Sequence, residues 1–228
     1  MNQKYAIASV AALMADPSRA AMLAALLDGR PLAAGELARA AAVSAQSASM
    51  HLAQLLDGGL VQVAREGRHR YYRIASPQVA HALESLGGIS TVPRVRPTGA
   101  TDATSYARSC YDHLAGELAV ALAAALERER LLVPSGDRDY DVTPKGETLL
   151  STWRIDVAAL RQARRAFARR CFDWTERRDH LAGALGAAVY STFLGRRWIR
   201  RDRDSRVVYV TPEGKVHLAG LLTFGRAA

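Results

Sequence analysis

The sequence predicts a mainly α-helical chain with small β-hairpins, built as an N-terminal domain over 1–86, a linker over 87–105 and a C-terminal domain over 106–228. Three observations carry this. Alanine is abundant and aromatic residues make up only 7% of the 228 residues, a balance that favours helices. Helical periodicity fills both outer blocks, with short β-rich runs between the helices. The stretch between them (GGISTVPRVRPTGATDATS) is rich in Gly, Pro, Ser and Thr, as linkers are.

Composition excludes several classes. Hydrophobic residues at 49% and charged residues at 23% suit a globular chain. Two cysteines, Cys110 and Cys171, are too few for a disulfide scaffold and too far apart for a zinc ribbon. The longest apolar run, 180–195, falls short of the roughly 18–20 residues of a membrane span. Tyr5–Ala15 follows a single lysine and runs into the helix-start signal Asp16-Pro17-Ser18. It is therefore expected to be the first core helix of a cytoplasmic protein with no membrane partner. The net charge of +9 is carried almost wholly by arginine, whose forked guanidinium suits phosphate and polyanionic partners.

The most informative segment lies between Leu32 and Ile74. Leu32–Ala42 reads as a short helix with Leu37 and Ala41 facing inward. Ser44 is placed to cap a second helix, in which Ala48, Leu52, Leu55 and Leu56 form an inward stripe. The other side carries Gln46, Ser47, Met50 and Gln54, with Ser49 and His51 on the flanks. These short or amide side chains can approach base edges in a major groove. Asp57-Gly58-Gly59 ends the helix, since glycine readily turns left-handed there. Leu60–Arg65 and Arg70–Ile74 then form a hairpin around Glu66-Gly67-Arg68-His69. Its tip gathers Arg65, Arg68, His69 and Arg70, a cluster suited to phosphates or the minor groove. Arg39, on the helix before Ser44, joins these as a candidate contact with double-stranded operator DNA. Helix, turn, helix and basic hairpin together make a winged helix-turn-helix.

Residues 5–86 resemble the ArsR-type repressor family. The matching stretches are Leu13–Leu27 (LMADPSRAAMLAALL), Glu36-Leu37-Ala38, Ser44–Val61 (SAQSASMHLAQLLDGGLV) and the wing Arg65–Tyr72 (REGRHRYY). The resemblance implies a homodimeric repressor that binds an operator and leaves it when an inducer binds. Met50 stands where the family carries a basic residue before the His-Leu pair. Members that bind metals often use cysteines in the first helix of the motif, or Asp and His on the C-terminal helix. Glu36–Ala42 contains no cysteine and Ser76–Leu86 holds only His81, so neither site carries over.

The C-terminal block contains an internal repeat. His113-Leu114-Ala115-Gly116 recurs at His180–Gly183, and Val142-Thr143-Pro144-Lys145-Gly146 recurs as Val210-Thr211-Pro212-Glu213-Gly214, at offsets of 67 and 68 residues. Each copy reads as a long alanine-rich helix, a hairpin, and a helix with Thr as N-cap and Pro at its first position. These two quasi-repeats resemble degenerate winged helices, and the block is expected to sense an effector and dimerise. Cysteine precedes HLAG in both copies, with Trp174–Asp179 inserted in the second.

Several sensing chemistries fit this block. Copies packed about a pseudo-twofold axis would bring Cys110 and Cys171 together as a dithiol able to oxidise, bind a metalloid or react with an electrophile. Arg108, Arg169 and Arg170 would favour the thiolate. Inert core cysteines are the bland alternative. A metal site would recruit Cys110, His113, Cys171 and His180, although the Cys–His spacing differs between copies. No cofactor is expected beyond such a metal or metalloid effector. Tyr106, Tyr111, Phe172, Trp174, Tyr190, Phe193 and Trp198 offer an organic-ligand pocket or simply a core. The arginines over 161–170, at Arg177 and Arg178, and over 196–206 read as a solvated face, with a second phosphate surface as the alternative. No nucleophile–base spacing, zinc-hydrolase motif or nucleotide loop points to an enzyme. A protein-interaction adaptor without regulated DNA binding is the remaining alternative.

Overall fold

The computed structural model describes residues 7–67, 69–89 and 102–222. Two compact units divide at Leu83–Glu84: the first holds the described residues up to Leu83 and the second those from Glu84 onward. The division falls inside a helix, so it lies before the expected boundary at residue 86. Of the expected linker, residues 87–89 finish that helix and 102–105 belong to another. Residues 90–101 lie outside the described residues.

The first unit opens with α1 (Ile7–Ala15) and α2 (Pro17–Ala25), followed by a 3-10 turn over Leu26–Asp28. Asp16 caps α2, its carboxylate accepting from the Arg19 N–H at 2.9 Å, and Pro17 fixes the first helical φ. β1 (Leu32–Ala33) and α3 (Ala34–Ala40) come next, then α4 (Ala45–Asp57), β2 (Val61–Glu66), β3 (His69–Ile74) and α5 (Pro77–Ile89). The strands form an antiparallel sheet in the order β1-β3-β2. Met22, Leu23, Leu26, Leu37, Ala48, Leu52, Leu55 and Tyr72 make the core.

Three expectations are corrected here. Leu32–Ala33 is a strand pairing with Tyr72 and Tyr71 rather than the start of a helix. Leu56 is 39% exposed, because the buried stripe of α4 ends at Leu55 and the next residue turns about 100° away. None of the residues of α1 is buried, and only Val10, Leu13 and Met14 pack partly on the core. The apolar first helix is therefore not a core helix of this chain.

In the second unit α6 (Asp102–Tyr106) leads to β4 (Arg108–Cys110), β5 (His113–Ala115), α7 (Glu117–Arg128), β6 (Leu132–Ser135), β7 (Asp139–Val142) and α8 (Pro144–Thr152). The same order then recurs as α9 (Val157–Arg161), β8 (Arg169–Asp173), β9 (Arg178–Ala182), α10 (Gly183–Gly195), β10 (Ile199–Arg201), β11 (Val208–Val210) and α11 (Pro212–Leu218). β4–β5 and β10–β11 stay two-stranded, while β6-β7-β8-β9 joins into a four-stranded sheet, larger than the isolated hairpins expected. Thr143 and Thr211 cap α8 and α11, accepting from the Gly146 and Gly214 N–H groups at 3.1 and 2.9 Å. Trp153, Phe193 and Trp198 meet edge-on or tilted within the core, among Leu118, Leu122 and Leu185. No single helix among the described residues is long and apolar enough to cross a membrane.

The HLAG segments are strands that turn sharply into helices. Gly116 and Gly183 take φ of +90° and +78° at that turn. A Cβ there would stand 2.7 Å from the carbonyl oxygen of Ser105 or Ala166 respectively. Only glycine satisfies both the left-handed φ and the close backbone approach. All three tryptophans lie in this unit, so their fluorescence reports its unfolding. Gly116→Ala is expected to destabilise it by about 1–3 kcal/mol in urea titration; an unchanged midpoint would contradict the geometry.

Candidate nucleic-acid interface and a buried cysteine–histidine cluster

The polar side of α4 is built by its cap. Ser44 Oγ accepts from the Ser47 N–H at 3.1 Å and donates to Ser47 Oγ at 3.0 Å, and Ser49 Oγ donates to the Ala45 carbonyl at 2.9 Å. The three hydroxyls therefore serve the helix first and keep acceptor capacity outward. Gln46, Ser49, Met50 and Gln54 are exposed, Ser47 half-buried. Arg19 of α2, which sequence reasoning passed over, donates to Gln54 Oε1 and to the Leu13 and Ala12 carbonyls. It thereby fixes the amide rather than leaving it mobile. His51 departs from the reading face: its ring is 12% exposed and its Nδ1 stands 3.9 Å from Asp16 Oδ1. Arg39 is exposed in the last turn of α3.

On the wing, Arg65 pairs directly with Arg70 across β2 and β3. Like charges facing each other across a strand pair are unfavourable, and an anion between them removes that cost. Arg73, opposite Gln62 and exposed, adds a third arginine that the sequence reading did not single out. The backbone of His69 pairs with Glu66. Arg68 lies outside the described residues.

The second unit gathers two cysteines and two histidines. Cys110 pairs with His113 across β4–β5, and Cys171 pairs with His180 across β8–β9. Their unequal sequence spacing is a matter of hairpin length. The first hairpin turns through Tyr111-Asp112, whereas the second extends through Asp173–Arg178 before turning. Donor atoms of all four side chains lie within 4.8 Å of one another. The two Nε2 atoms face each other at 3.2 Å. His113 Nδ1 lies 3.3 Å from Asp112 Oδ1, and His180 Nδ1 3.4 Å from Asp173 Oδ2, the latter off the line of a good hydrogen bond. Arg165, expected on a solvated face, holds Asp112 through two guanidinium contacts. Neither cysteine is in a disulfide.

Around this cluster runs a buried charge network. Arg108, 1% exposed, donates twice to Asp173 at 3.1 Å and once to Glu84 at 3.3 Å. Asp173 also accepts from the Gly116 N–H at 2.7 Å and from Thr175. Glu84 accepts from Arg206, from the Trp174 indole and from the Cys110 thiol at 3.3 Å. Burial pushes the Glu84 carboxyl up, yet Arg206 and Arg108 outweigh it and hold it at about 2. Burial likewise opposes ionisation of Asp173, and Arg108 with Thr175 keeps it well below the usual carboxylate range. Of the arginines expected to activate the thiols, Arg169 faces Asp139 and Arg170 faces Asp179. The aromatic residues do not gather into one pocket: Tyr106, Tyr111 and Phe172 are exposed, while Tyr190, Phe193 and Trp198 fill the core.

A helix-turn-helix domain model matches residues 14–64. The HTH-type transcriptional regulator YdfF of Bacillus subtilis (strain 168) is 40% identical over 213 residues, which are 92% of this chain and 94% of that protein. The chain belongs to the HTH-type transcriptional regulators. The regulator CmtR of Mycobacterium tuberculosis is 38% identical over 84 residues, 37% of this chain and 70% of CmtR. Among solved structures, the homodimeric winged helix-turn-helix DNA-binding domain of Mb0332 from Mycobacterium bovis is 31% identical, over 38% of this chain and 86% of that one, with a TM-score of 0.34. For this regulator the sharpest stability test concerns Arg108. Arg108→Gln leaves two buried carboxylates short of their counter-charge and is expected to cost about 3–5 kcal/mol in urea unfolding. Glu84, with its folded pKa held below the unfolded one, adds stability that is present above about pH 4.5 and disappears as pH falls toward 2. Arg108→Gln should move that acid transition upward; an unmoved transition would show that the pair contributes little.

Proposed function

We propose that this regulator is a repressor that grips operator DNA as a homodimer and is released when an effector engages Cys110 and Cys171 in the second unit. The carrying observation is the outward amide-and-hydroxyl side of α4, followed in the chain by a wing whose Arg65 and Arg70 face each other. Gln46, Ser49 and Gln54 would meet base edges, and Arg65, Arg70 and Arg73 the phosphates. Dimerisation is supported by α1, an apolar helix with no buried residue and Ile7 71% exposed, a surface that calls for a partner. A twofold dimer reads a palindromic operator with one α4 per half-site. The twice-run element order of the second unit supports our reading of it as two quasi-repeats, each a degenerate winged helix. An effector releases DNA only by binding the off-DNA arrangement more tightly than the DNA-bound one.

The test begins with selection of a preferred duplex from a random pool, followed by fluorescence anisotropy over a range of salt. Gln46→Ala is expected to lose about 1–3 kcal/mol on the selected duplex and little on random DNA. Arg65→Ser with Arg70→Ser, which removes both arginines from each protomer of the dimer, should weaken both alike and reduce the salt slope by about 3–4. Failure to enrich any sequence, with equal affinity for all duplexes, would contradict an operator-binding repressor.

A further inference from the structure

We infer that Cys110, His113, Cys171 and His180 form a four-ligand site for a thiophilic divalent metal ion of the zinc class. This deepens the proposed function: the ion's role as effector rests on that reading, while its binding does not.

The donor set comes first. Two thiols and two imidazoles converge within 4.8 Å, and a tetrahedral zinc-class ion with metal–nitrogen near 2.0 Å and metal–sulfur near 2.3 Å needs donor separations of about 3.3–3.8 Å. The Nε2–Nε2 distance of 3.2 Å is already close to the nitrogen–nitrogen edge. Mixed sulfur and imidazole ligands favour zinc-class ions over magnesium or calcium, which take oxygen.

The orientation of the imidazoles is the second point. Asp112 bonds to His113 Nδ1, which favours the tautomer carrying its proton there, and Asp173 stands 3.4 Å from His180 Nδ1 without bonding to it. The two Nε2 atoms share one hydrogen bond in a buried site, one ring donating to the other. When the donating ring carries its proton on Nδ1 instead, both Nε2 lone pairs are free to bind an ion between them. A carboxylate bonded behind an imidazole whose other nitrogen is aimed inward, as Asp112 is behind His113, is the support that metal-binding histidines ordinarily receive. A dithiol acting by oxidation would need neither the imidazoles nor their carboxylates.

Charge balance is the third. Binding exchanges two thiol protons for one divalent ion: two S–H bonds break, two metal–sulfur bonds form, and two protons leave to solvent. The thiolates then neutralise the ion, so no net charge is added to a buried cluster. One of the released protons is the one Cys110 donates to Glu84 Oε2 at 3.3 Å. Glu84 belongs to α5, the helix that follows the wing in the chain. Metal loading therefore withdraws a hydrogen bond from that helix and places a thiolate beside its carboxylate.

Reduced full-length protein titrated with Co2+ tests the site. We expect intense visible ligand-field bands of tetrahedral cobalt with a sulfur-to-metal charge-transfer band, saturating at one ion per chain and bleached by Zn2+. Cys171→Ser removes one thiolate and is expected to weaken the charge-transfer band and lower affinity at least about tenfold. Cys171 is chosen because it is the least buried of the four, and circular dichroism checks its fold. Absence of the bands in the wild type would overturn the site, whether or not any variant folds. So would a spectrum that folded Cys171→Ser and His113→Gln leave unchanged. Anisotropy on the selected duplex, with and without Zn2+, separates the two readings. A full cobalt spectrum with unchanged DNA affinity keeps the site and overturns its effector role.

Discussion

A guanidinium removed from water must find its counter-charges inside the protein, and Arg108 finds them in Glu84 and Asp173. Each of these three groups is almost wholly buried, so loss of Arg108 leaves Asp173 without its guanidinium and Glu84 with Arg206 alone, in a medium that penalises lone charge. Asp173 extends the bracing, because it also accepts the N–H of Gly116 from the other hairpin segment and stands behind His180. The two Cys–His hairpins are thus held in one arrangement by charge and hydrogen bonds as much as by apolar packing. Trp174, laid over Arg108 and bonded to Glu84, closes the same network.

The two units build their candidate sites in different ways. On α4 and the wing, local chemistry suffices. A serine cap starts the helix, a glycine of φ +69° at position 59 follows its end, and strand pairing sets two arginines opposite each other. Such a surface can be read almost residue by residue. The cluster in the second unit depends on partners far apart in the chain, since Cys110 and His180 meet only when β5 packs beside β9. α5 follows β3 in the chain and carries Glu84, which accepts from the Cys110 thiol.

These differences explain what the sequence disclosed. Ser44, Thr143 and Thr211 were legible as caps because a capping side chain and its N–H lie three residues apart. The hairpin after Leu60 was legible from β-rich runs around Gly67. The HLAG strands were not, because His113–Ala115 and Leu181–Ala182 are buried without alternation and border alanine-rich helices. The insertion before His180 counted against a shared metal site in sequence, yet it only lengthens the hairpin, by two strand pairs and its turn, and leaves Cys171 opposite His180. Nor could the pairing of Arg108 with Asp173, or of Arg165 with Asp112, be inferred from spacing. The charge of each looked available for thiols or solvent until the fold supplied a carboxylate.

The convergence of two sulfurs and two nitrogens on one point is the claim on which the sensing reading turns. X-ray absorption at the zinc edge of zinc-loaded protein measures that shell directly. Two sulfur scatterers near 2.3 Å and two nitrogen scatterers near 2.0 Å are expected, with the multiple scattering of two imidazoles. A shell of nitrogen and oxygen alone, or six-coordinate zinc, would contradict it.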